Sequence, residues 1–345
     1  MQTFECFCNQ RLFFESTQCP QCARRLGYDP QLRTIVAIEP AEGNFWTSVD
    51  ESERGRYYRL CESTAKYQAC NWLITEDDAS TRCRSCRLNE TIPDLSDDAN
   101  LQRWQALESA KRRLLHTLLI LGLPFEATDT DGHDALGFEY LEDQRSSPHV
   151  AEPDVLSGHR RGKITLNVAE ADAHHMELKR AEMKQVSRTL LGHFRHEIGH
   201  YYWDRLISGT DLIDEFRAHF GDERIDYEQA LNNYYAQPPA EGWHTSYISA
   251  YAQSHPLEDW AECWAHFLQT ADTLETANGF SVTPSVRFDE NFDAWIVEWM
   301  RVTVLLNELN RSMGLRDAYP IVLAPPVVDK LRFIRNVICL ASPVR

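Results

Sequence analysis

Apolar residues recur every three or four positions over several long stretches of the chain, and this spacing predicts amphipathic helices. The predicted helices cover residues 100–121, 190–203, 222–236, 256–268 and 289–313. Two shorter segments, at residues 135–141 and 163–168, predict strands. A majority of helices with a few strands predicts an α+β fold.

The cysteines are concentrated at the start of the chain. Eight of the ten lie before residue 87, in two groups of four. The groups are Cys6, Cys8, Cys19 and Cys22, and then Cys61, Cys70, Cys83 and Cys86. The first group brackets short predicted strands and has the spacing of a zinc ribbon, in which four thiolates bind one structural Zn²⁺.

The second cysteine group is more widely spaced and favours a second structural site with four thiolate ligands. Two alternatives stay open at this point. Cys61 or Cys70 is a buried thiol outside the metal site, or the ligands are exchanged between the two groups.

Charge and composition narrow the classes of partner. The net charge is −17 and the pI about 5.2, which argues against broad binding to nucleic acid or anionic membranes. No apolar run approaches the roughly 18 residues of a membrane span, and the N-terminus lacks the pattern of a secretory signal. We therefore expect a cytoplasmic protein, and in a reducing compartment clustered cysteines are metal ligands rather than disulfides.

Residues 91–98 contain a proline and an acidic run, which is typical of a domain boundary. We predict a zinc-ribbon domain with two metal sites over residues 1–95 and a second domain over residues 96–345. In the helix that follows, the basic residues 111–113 are expected to form a solvated face.

One predicted helix contains the motif H-E-x-x-H, formed by His196, Glu197 and His200. Residues four apart on a helix point the same way, so the two imidazoles can hold one zinc ion. The glutamate between them then lies beside the vacant coordination position, where it can take a proton from the attacking water. The motif predicts a catalytic zinc with Glu197 as general base, and His193 as a packing residue.

A catalytic zinc takes three protein ligands. After Pro256, which suits the start of a helix, Glu258 and Glu262 lie one turn apart beside an apolar face. Two acids there are costly to bury without a cation, and zinc with its histidines provides one. We predict Glu258 as the third ligand and Glu262 as the acid that hydrogen-bonds a zinc histidine. The alternatives are the reverse assignment and Asp259 as the ligand.

A phenol hydroxyl near the metal can stabilise the oxyanion of a tetrahedral intermediate. Tyr251 is the predicted residue and Tyr247 the reserve, and both also suit a core position.

The pair of motifs H-E-x-x-H and E-x-x-x-E resembles that of the gluzincin metallopeptidases, and is similar to the arrangement in anthrax lethal factor and the Mlc titration factor peptidases. In lethal factor a catalytic tyrosine precedes the ligand glutamate by the same offset that separates Tyr251 from Glu258. The whole chain resembles bacterial zinc-binding metallopeptidases with an N-terminal zinc ribbon. The segments that carry this resemblance are residues 70–73, 86–89, 92–95, 110–114, 220–227 and 255–262.

This resemblance implies a zincin-like, mostly helical metallopeptidase domain with a small strand-lined cleft. We predict a zinc-dependent metallopeptidase that hydrolyses a peptide or protein substrate, with one catalytic and two structural zinc ions. A rival prediction is a zinc-organised interaction or regulatory protein that binds a partner through the ribbon. In that case the peptidase-like site is weakly active or inactive.

Overall fold

The computed structural model describes most of the chain in two compact units. The described residues are 3–50, 55–125, 134–147, 149–152, 154–172, 175, 189–319 and 323–342. The first unit comprises Met1–Ile120, Pro124–Gly158 and Gly162–Asp172, and the second comprises Leu121–Leu123, His159–Arg161 and Ala173–Arg345. The domain boundary predicted at residue 95 stays a prediction. In the structure, the helix that follows this residue belongs almost entirely to the first unit.

Two antiparallel sheets hold the cysteine-rich part of the first unit. The smaller pairs β1 (Phe4–Glu5) with β2 (Arg11–Leu12). The larger is a meander of β3 (Arg25–Asp29), β4 (Thr34–Pro40), β5 (Trp46–Ser48), β6 (Tyr57–Leu60) and β7 (Leu73–Thr75), with helix α1 (Glu62–Tyr67) between the last two strands. Its apolar face packs Val36, Ile38, Tyr58 and Leu73 together.

Helix α2 (Asp98–Leu121) begins within two residues of the predicted start and is anchored to the meander by aromatic and polar contacts. The Tyr28 hydroxyl and His116 Nδ1 lie 2.8 Å apart, and the Tyr28 ring also packs against Trp72. Both Tyr28 and His116 are fully buried, so this hydrogen bond satisfies polar groups that would otherwise be costly to bury.

The solvated basic face predicted at residues 111–113 is wrong for two of its three members. Lys111 is fully buried and Arg112 is 6% exposed. Lys111 Nζ lies 2.7 Å from Glu108 Oε1, and the Arg112 guanidinium donates to the Ala69 carbonyl. Only Arg113 behaves as expected, because it pairs with Glu15 at a partly exposed position. Three consecutive basic residues on a helix do not show, from the sequence alone, which of them faces a buried negative charge.

Both predicted strands are present, within two residues of the predicted bounds. They are β9 (Gly137–Leu141) and β11 (Lys163–Asn167), which pair in parallel, and β9 also pairs in parallel with β8 (Asn89–Thr91). A further short strand, β10 (Gly158–Arg160), leads into β11 through a tight turn. Arg161 and Gly162 both have positive φ there, as a type I′ turn requires.

The second unit is helical. Its helices are α3 (Leu190–Leu206), α4 (Ile213–Phe220), α5 (Tyr227–Ala236), α6 (Pro256–Gly279), α7 (Phe292–Ser312) and α8 (Pro325–Ala341). The helix predicted over residues 222–236 begins later than expected, because the Asp226 side chain accepts from the Gln229 N–H and caps α5 there. Within the described ranges, no helix combines the length and apolar character that a membrane span requires.

Helices α3 and α6 cross at a close approach that depends on a glycine. A Cβ at Gly199 would lie only 3.0 Å from Ala261 Cα and 3.1 Å from Trp264 Cβ. At this crossing the Trp260 indole N–H donates to the Gly199 carbonyl at 2.9 Å, and the rings of Tyr202 and Trp264 stack. The absent side chain lets the two helices approach each other closely enough for their polar residues to meet.

Helix α8 is fixed to α6 by a buried ion pair. Lys330 Nζ lies 2.6 Å from Asp259 Oδ2 and also donates to the Ser246 carbonyl. Burial raises the pKa of Asp259 to about 6 even though Lys330 opposes that shift. Asp259 therefore points away from Glu258 and Glu262 on the same helix, towards α8.

We predict that Gly199→Ala lowers the free energy of unfolding by about 1–3 kcal/mol, because the added methyl group overpacks the crossing. Gly192→Ala is the matched control on the same helix, where the nearest atom to a new Cβ is the side-chain hydroxyl of exposed Thr189. The control should cost less, since only the exposed Thr189 hydroxyl that caps the helix has to shift and alanine favours the helix over glycine. Denaturant unfolding followed by circular dichroism measures both; equal effects would contradict a tight crossing.

Candidate active site and metal centres

The first cysteine group forms a compact four-sulfur cluster. Cys6 Sγ lies 3.7 Å from Cys22 Sγ, and Cys8 Sγ lies 3.6 Å from Cys19 Sγ. A tetrahedral Zn²⁺ with bonds of about 2.3 Å places its sulfur ligands about 3.8 Å apart. Asn9 follows the first cysteine pair and Ala23 the second. Both residues have positive φ, the left-handed conformation, which turns the chain around the cluster. The four thiols fit one structural zinc ion.

The second cysteine group also converges, with all four members buried. Cys70 and Cys83 place their sulfur atoms 3.6 Å apart. Backbone N–H groups point at the sulfurs, from Cys83 to Cys61 at 3.4 Å and from Trp72 to Cys70 at 3.3 Å. The geometry removes both alternatives left by the sequence, because Cys61 and Cys70 belong to the cluster and no ligand is exchanged with the first group.

Buried cations beside the second cluster explain the wrong prediction for residues 111–112. Four thiolates around Zn²⁺ carry a net charge of −2, and such a charge needs compensation when it is buried. Burial works against the charge of Arg112, but Cys70, Glu108 and the other thiolates raise its pKa. Lys111 in turn pairs with Glu108, whose carboxylate lies 3.7 Å from Cys86 Sγ.

The histidines of the H-E-x-x-H motif lie on α3, whose first turn is capped by the Thr189 side chain. His196 Nε2 and His200 Nε2 are 3.2 Å apart. From α6, Glu258 Oε2 lies 3.0 Å from His196 Nε2, and Glu258 Oε1 lies 3.4 Å from His200 Nε2. Three atoms with metal-binding lone pairs thus converge on one point, although two helices and 57 intervening residues separate the motif from the glutamate.

These three side chains fit a zinc ion. Tetrahedral bonds of about 2.0–2.1 Å place ligand atoms about 3.3 Å apart, which matches the observed separations. Glu258 is 1% exposed, and its Oε2 makes no hydrogen bond to any residue that the structure describes. A buried carboxylate oxygen without a donor is costly, and a cation at this point would satisfy it.

A hydrogen bond to Glu262 orients the imidazole of His196. His196 Nδ1–H donates to Glu262 Oε1 at 2.8 Å, and Ser249 also hydrogen-bonds this carboxylate. With the proton on Nδ1, the Nε2 lone pair faces Glu258 and His200. A carboxylate behind a histidine in this way fixes the tautomer and raises the basicity of a metal ligand.

Glu197 lies on the same helix and is buried, at 5% exposed. His193 Nε2–H donates to Glu197 Oε1 at 3.0 Å, so His193 is not only a packing residue. Burial alone would raise the pKa of Glu197, but the hydrogen bond from His193 and the neighbouring imidazoles outweigh it and lower the pKa to about 2. The carboxylate is therefore ionised and can accept a proton.

Comparison with known protein families agrees with this architecture. Residues 100–337 match the family described as "putative zinc-binding metallo-peptidase", and residues 3–97 match a zinc-ribbon domain. The chain belongs to this metallopeptidase family. The two four-cysteine clusters and both family descriptions support zinc binding.

Relatives in two mycobacteria match the chain over almost its whole length. An uncharacterised protein of Mycobacterium tuberculosis and one of Mycobacterium bovis are each 40% identical over 352 residues, which cover 99% of this chain and 97% of the relative. No solved structure matches the chain, and the zincin-like fold and the strand-lined cleft stay predictions.

Tyr227 also belongs to the candidate site, although it is not among the site residues predicted from the sequence. Its hydroxyl donates to Glu258 Oε1 at 2.6 Å. His255 places it, because His255 accepts from the Leu257 N–H at the start of α6 and donates to the Ile225 carbonyl just before α5. Two signals in the sequence point to Tyr227: it lies in the segment 220–227 that carries the resemblance, and the Asp226 cap makes it the first residue of α5.

The two tyrosines proposed for the oxyanion lie in different surroundings. Tyr251 is 8% exposed, and its ring centre lies 6.1 Å from that of His196. Burial and the nearby Glu258 carboxylate raise the pKa of Tyr251 well above its usual value, so its hydroxyl stays protonated. Tyr247 instead places its ring 4.6 Å from Lys330 Nζ, beside the ion pair that anchors α8.

We predict that Arg112→Met speeds zinc loss from the second cysteine cluster about tenfold, because the buried thiolates lose a compensating cation. Arg113→Met is the matched control, since Arg113 is its exposed neighbour. Zinc transfer from the full-length protein to a coloured chelator at fixed pH measures the rate. Equal rates for the two variants would exclude compensation by Arg112.

Proposed function

We propose that the protein is a zinc-dependent peptidase. The observation that supports this best is the convergence of His196, His200 and Glu258 on one point, with the ionised Glu197 on the same helix. Three protein ligands leave one position of a tetrahedral zinc for substrate or water, which is the arrangement of catalytic rather than structural sites.

Zinc held there supplies a Lewis acid that polarises the scissile carbonyl and acidifies water. The Glu197 carboxylate takes a proton from the attacking water and passes it to the leaving amide nitrogen. His193 holds this carboxylate by its hydrogen bond to Oε1, which limits the orientations that Glu197 can adopt. Glu262 keeps His196 in the tautomer that presents Nε2.

Tyr251 is the proposed oxyanion donor. Its raised pKa keeps a proton on the hydroxyl, and a donor aimed at developing negative charge accelerates acyl transfer. Tyr227 has the separate role of orienting the ligand carboxylate, because its hydroxyl is already engaged with Glu258 Oε1.

The proposed metal content is three zinc ions per chain. One is catalytic, at His196, His200 and Glu258, and two are structural, in the cysteine clusters, where four thiolates leave no position for water. The proposed substrate is a peptide or protein rather than nucleic acid or a membrane, in keeping with the net charge of −17.

We predict that Glu197→Gln retains three zinc ions but lowers kcat by about 10²–10⁴, because an amide cannot take the proton. Glu215→Gln, at an exposed position of α4, is the control and should keep full activity. Cleavage of a proteome-derived peptide mixture, read by mass spectrometry, measures activity, and elemental analysis measures zinc. A Glu197→Gln protein with wild-type turnover would refute the proposed role.

We predict that Tyr227→Phe weakens zinc binding at the histidine–glutamate site about tenfold, since the ligand carboxylate loses the hydrogen bond that orients it. Tyr57→Phe removes the hydroxyl of an exposed tyrosine on β6 and should leave the affinity unchanged. Competition with a chelator of known affinity, after the cysteine sites are filled, gives both constants. Identical affinities would show that Tyr227 does not orient Glu258.

A further inference from the structure

A cavity of about 350 Å³ lies beside the candidate active site. One wall is formed by positions at helical spacing along a single face of α5, and the other by the following loop and the 3₁₀ turn before α6. The lining residues are Ala230, Asn233, Tyr234, Gln237, Pro238, Pro239, Ala240, Gln253 and Ser254. Its volume falls within the range of about 300–1,000 Å³ that is typical of ligand pockets.

The helix that forms this wall is unusual in its exposure. None of the ten residues of α5, all of which are described, is fully buried. Helices usually gain their stability from burying one face, and α5 instead uses its inner face to line a cavity. Gln253 keeps the cavity in shape, because its side chain accepts from the Ala240 N–H at 3.0 Å and donates to the Ala250 carbonyl at 2.8 Å.

Two aromatic rings in contact lie between the cavity and the metal ligands. The Tyr234 ring, which lines the cavity, lies 5.7 Å from the Tyr251 ring, and Tyr251 lies 6.1 Å from the His196 ring. Tyr251 and Ser254 belong to the same 3₁₀ turn. The Tyr234 ring therefore lies within about 12 Å of the His196 ring, a distance that about three or four residues of an extended peptide can span.

The chemistry of the lining is polar but uncharged. It contains side-chain amides and a hydroxyl between a tyrosine and two prolines, and no acidic or basic side chain. Ser254 is 7% exposed, and its hydroxyl has no hydrogen-bond partner in the part of the chain that the structure describes. A buried hydroxyl without a partner is costly, whereas a bound ligand with a polar group would satisfy it.

We propose that this cavity is a substrate subsite that binds an uncharged side chain with hydrogen-bonding groups, such as an amide or a hydroxyl, close to the scissile bond. This inference rests on the proposed peptidase function. The lining presents no opposite charge that would pair with a charged side chain. An amide or hydroxyl can pair with Ser254 and Asn233 while its methylene groups contact Tyr234 and the prolines.

The test compares two adjacent asparagines of α5. Asn233→Asp places a negative charge in the cavity wall, whereas Asn232→Asp makes the same change one residue earlier, outside the lining. The full-length, zinc-loaded proteins are incubated with a random peptide library, and the cleavage sites are sequenced by mass spectrometry. In parallel, full-length Glu197→Gln, alone or combined with each asparagine variant, is immobilised to retain library peptides.

We expect wild-type cleavage sites to be enriched in Asn, Gln, Ser and Thr at one position near the scissile bond. Asn233→Asp should raise the share of Lys and Arg there about tenfold, since a carboxylate now faces the bound side chain. Asn232→Asp should leave the profile unchanged. Ser254→Ala should reduce the preference for amides and hydroxyls over apolar residues of similar size.

The other outcomes separate a failure of the subsite from a failure of the peptidase function. Cleavage with the same profile in wild type and Asn233→Asp overturns the subsite and leaves the peptidase function standing, as does an equal shift in both asparagine variants. Selective retention of peptides without any cleavage overturns the peptidase function and leaves the cavity only as a peptide-binding site. Neither retention nor cleavage by the zinc-loaded protein overturns both.

Discussion

The close crossing of α3 and α6 is the constraint on which the candidate active site depends. The metal-binding atoms of His196 and His200 meet those of Glu258 only because the two helix backbones approach at Gly199, where a side chain would collide with Ala261 and Trp264. The position of α6 at this crossing is also fixed by a hydrogen bond from the Trp260 indole N–H to the Gly199 carbonyl. Packing between helices thus determines the geometry of the site, to within the few tenths of an ångström that metal ligands require.

Several buried charged side chains in the described part of the chain are paired with a group of opposite charge. Asp259 is paired with Lys330, Arg195 with Asp272, and Glu262 with His196. The second cysteine cluster has Arg112 and Lys111 beside it. Removing one partner from such a pair leaves an uncompensated charge, which costs more than the pair contributes. Glu258 Oε2 and the Ser254 hydroxyl are therefore informative, because neither atom makes a hydrogen bond to a residue that the structure describes and both lie where a ligand is expected.

Helix α5 connects these two places. Its first residue, Tyr227, orients the ligand carboxylate, and its inner face lines the cavity that we assign to the substrate. Because α5 has no fully buried residue, it is held by a few specific contacts rather than by a large apolar face. Under the proposed function, the residue that orients Glu258 and the wall of the substrate cavity therefore belong to one short helix.

The sequence by itself determined the features that follow from the periodicity of a single element. Helical geometry places His196, Glu197 and His200 on one turn, and Glu258 and Glu262 one turn apart, whatever surrounds them; cysteine spacing likewise predicted both clusters. Only the tertiary structure decided which distant polar groups meet. The burial of Lys111 and Arg112, the bond from Tyr227 to Glu258 and the cavity beside Ser254 depend on how separate elements pack. Spacing within one segment indicated the facing partner only for Glu258 and Glu262, where the chemistry of the two motifs is complementary; Lys111, Tyr227 and Ser254 have no such motif.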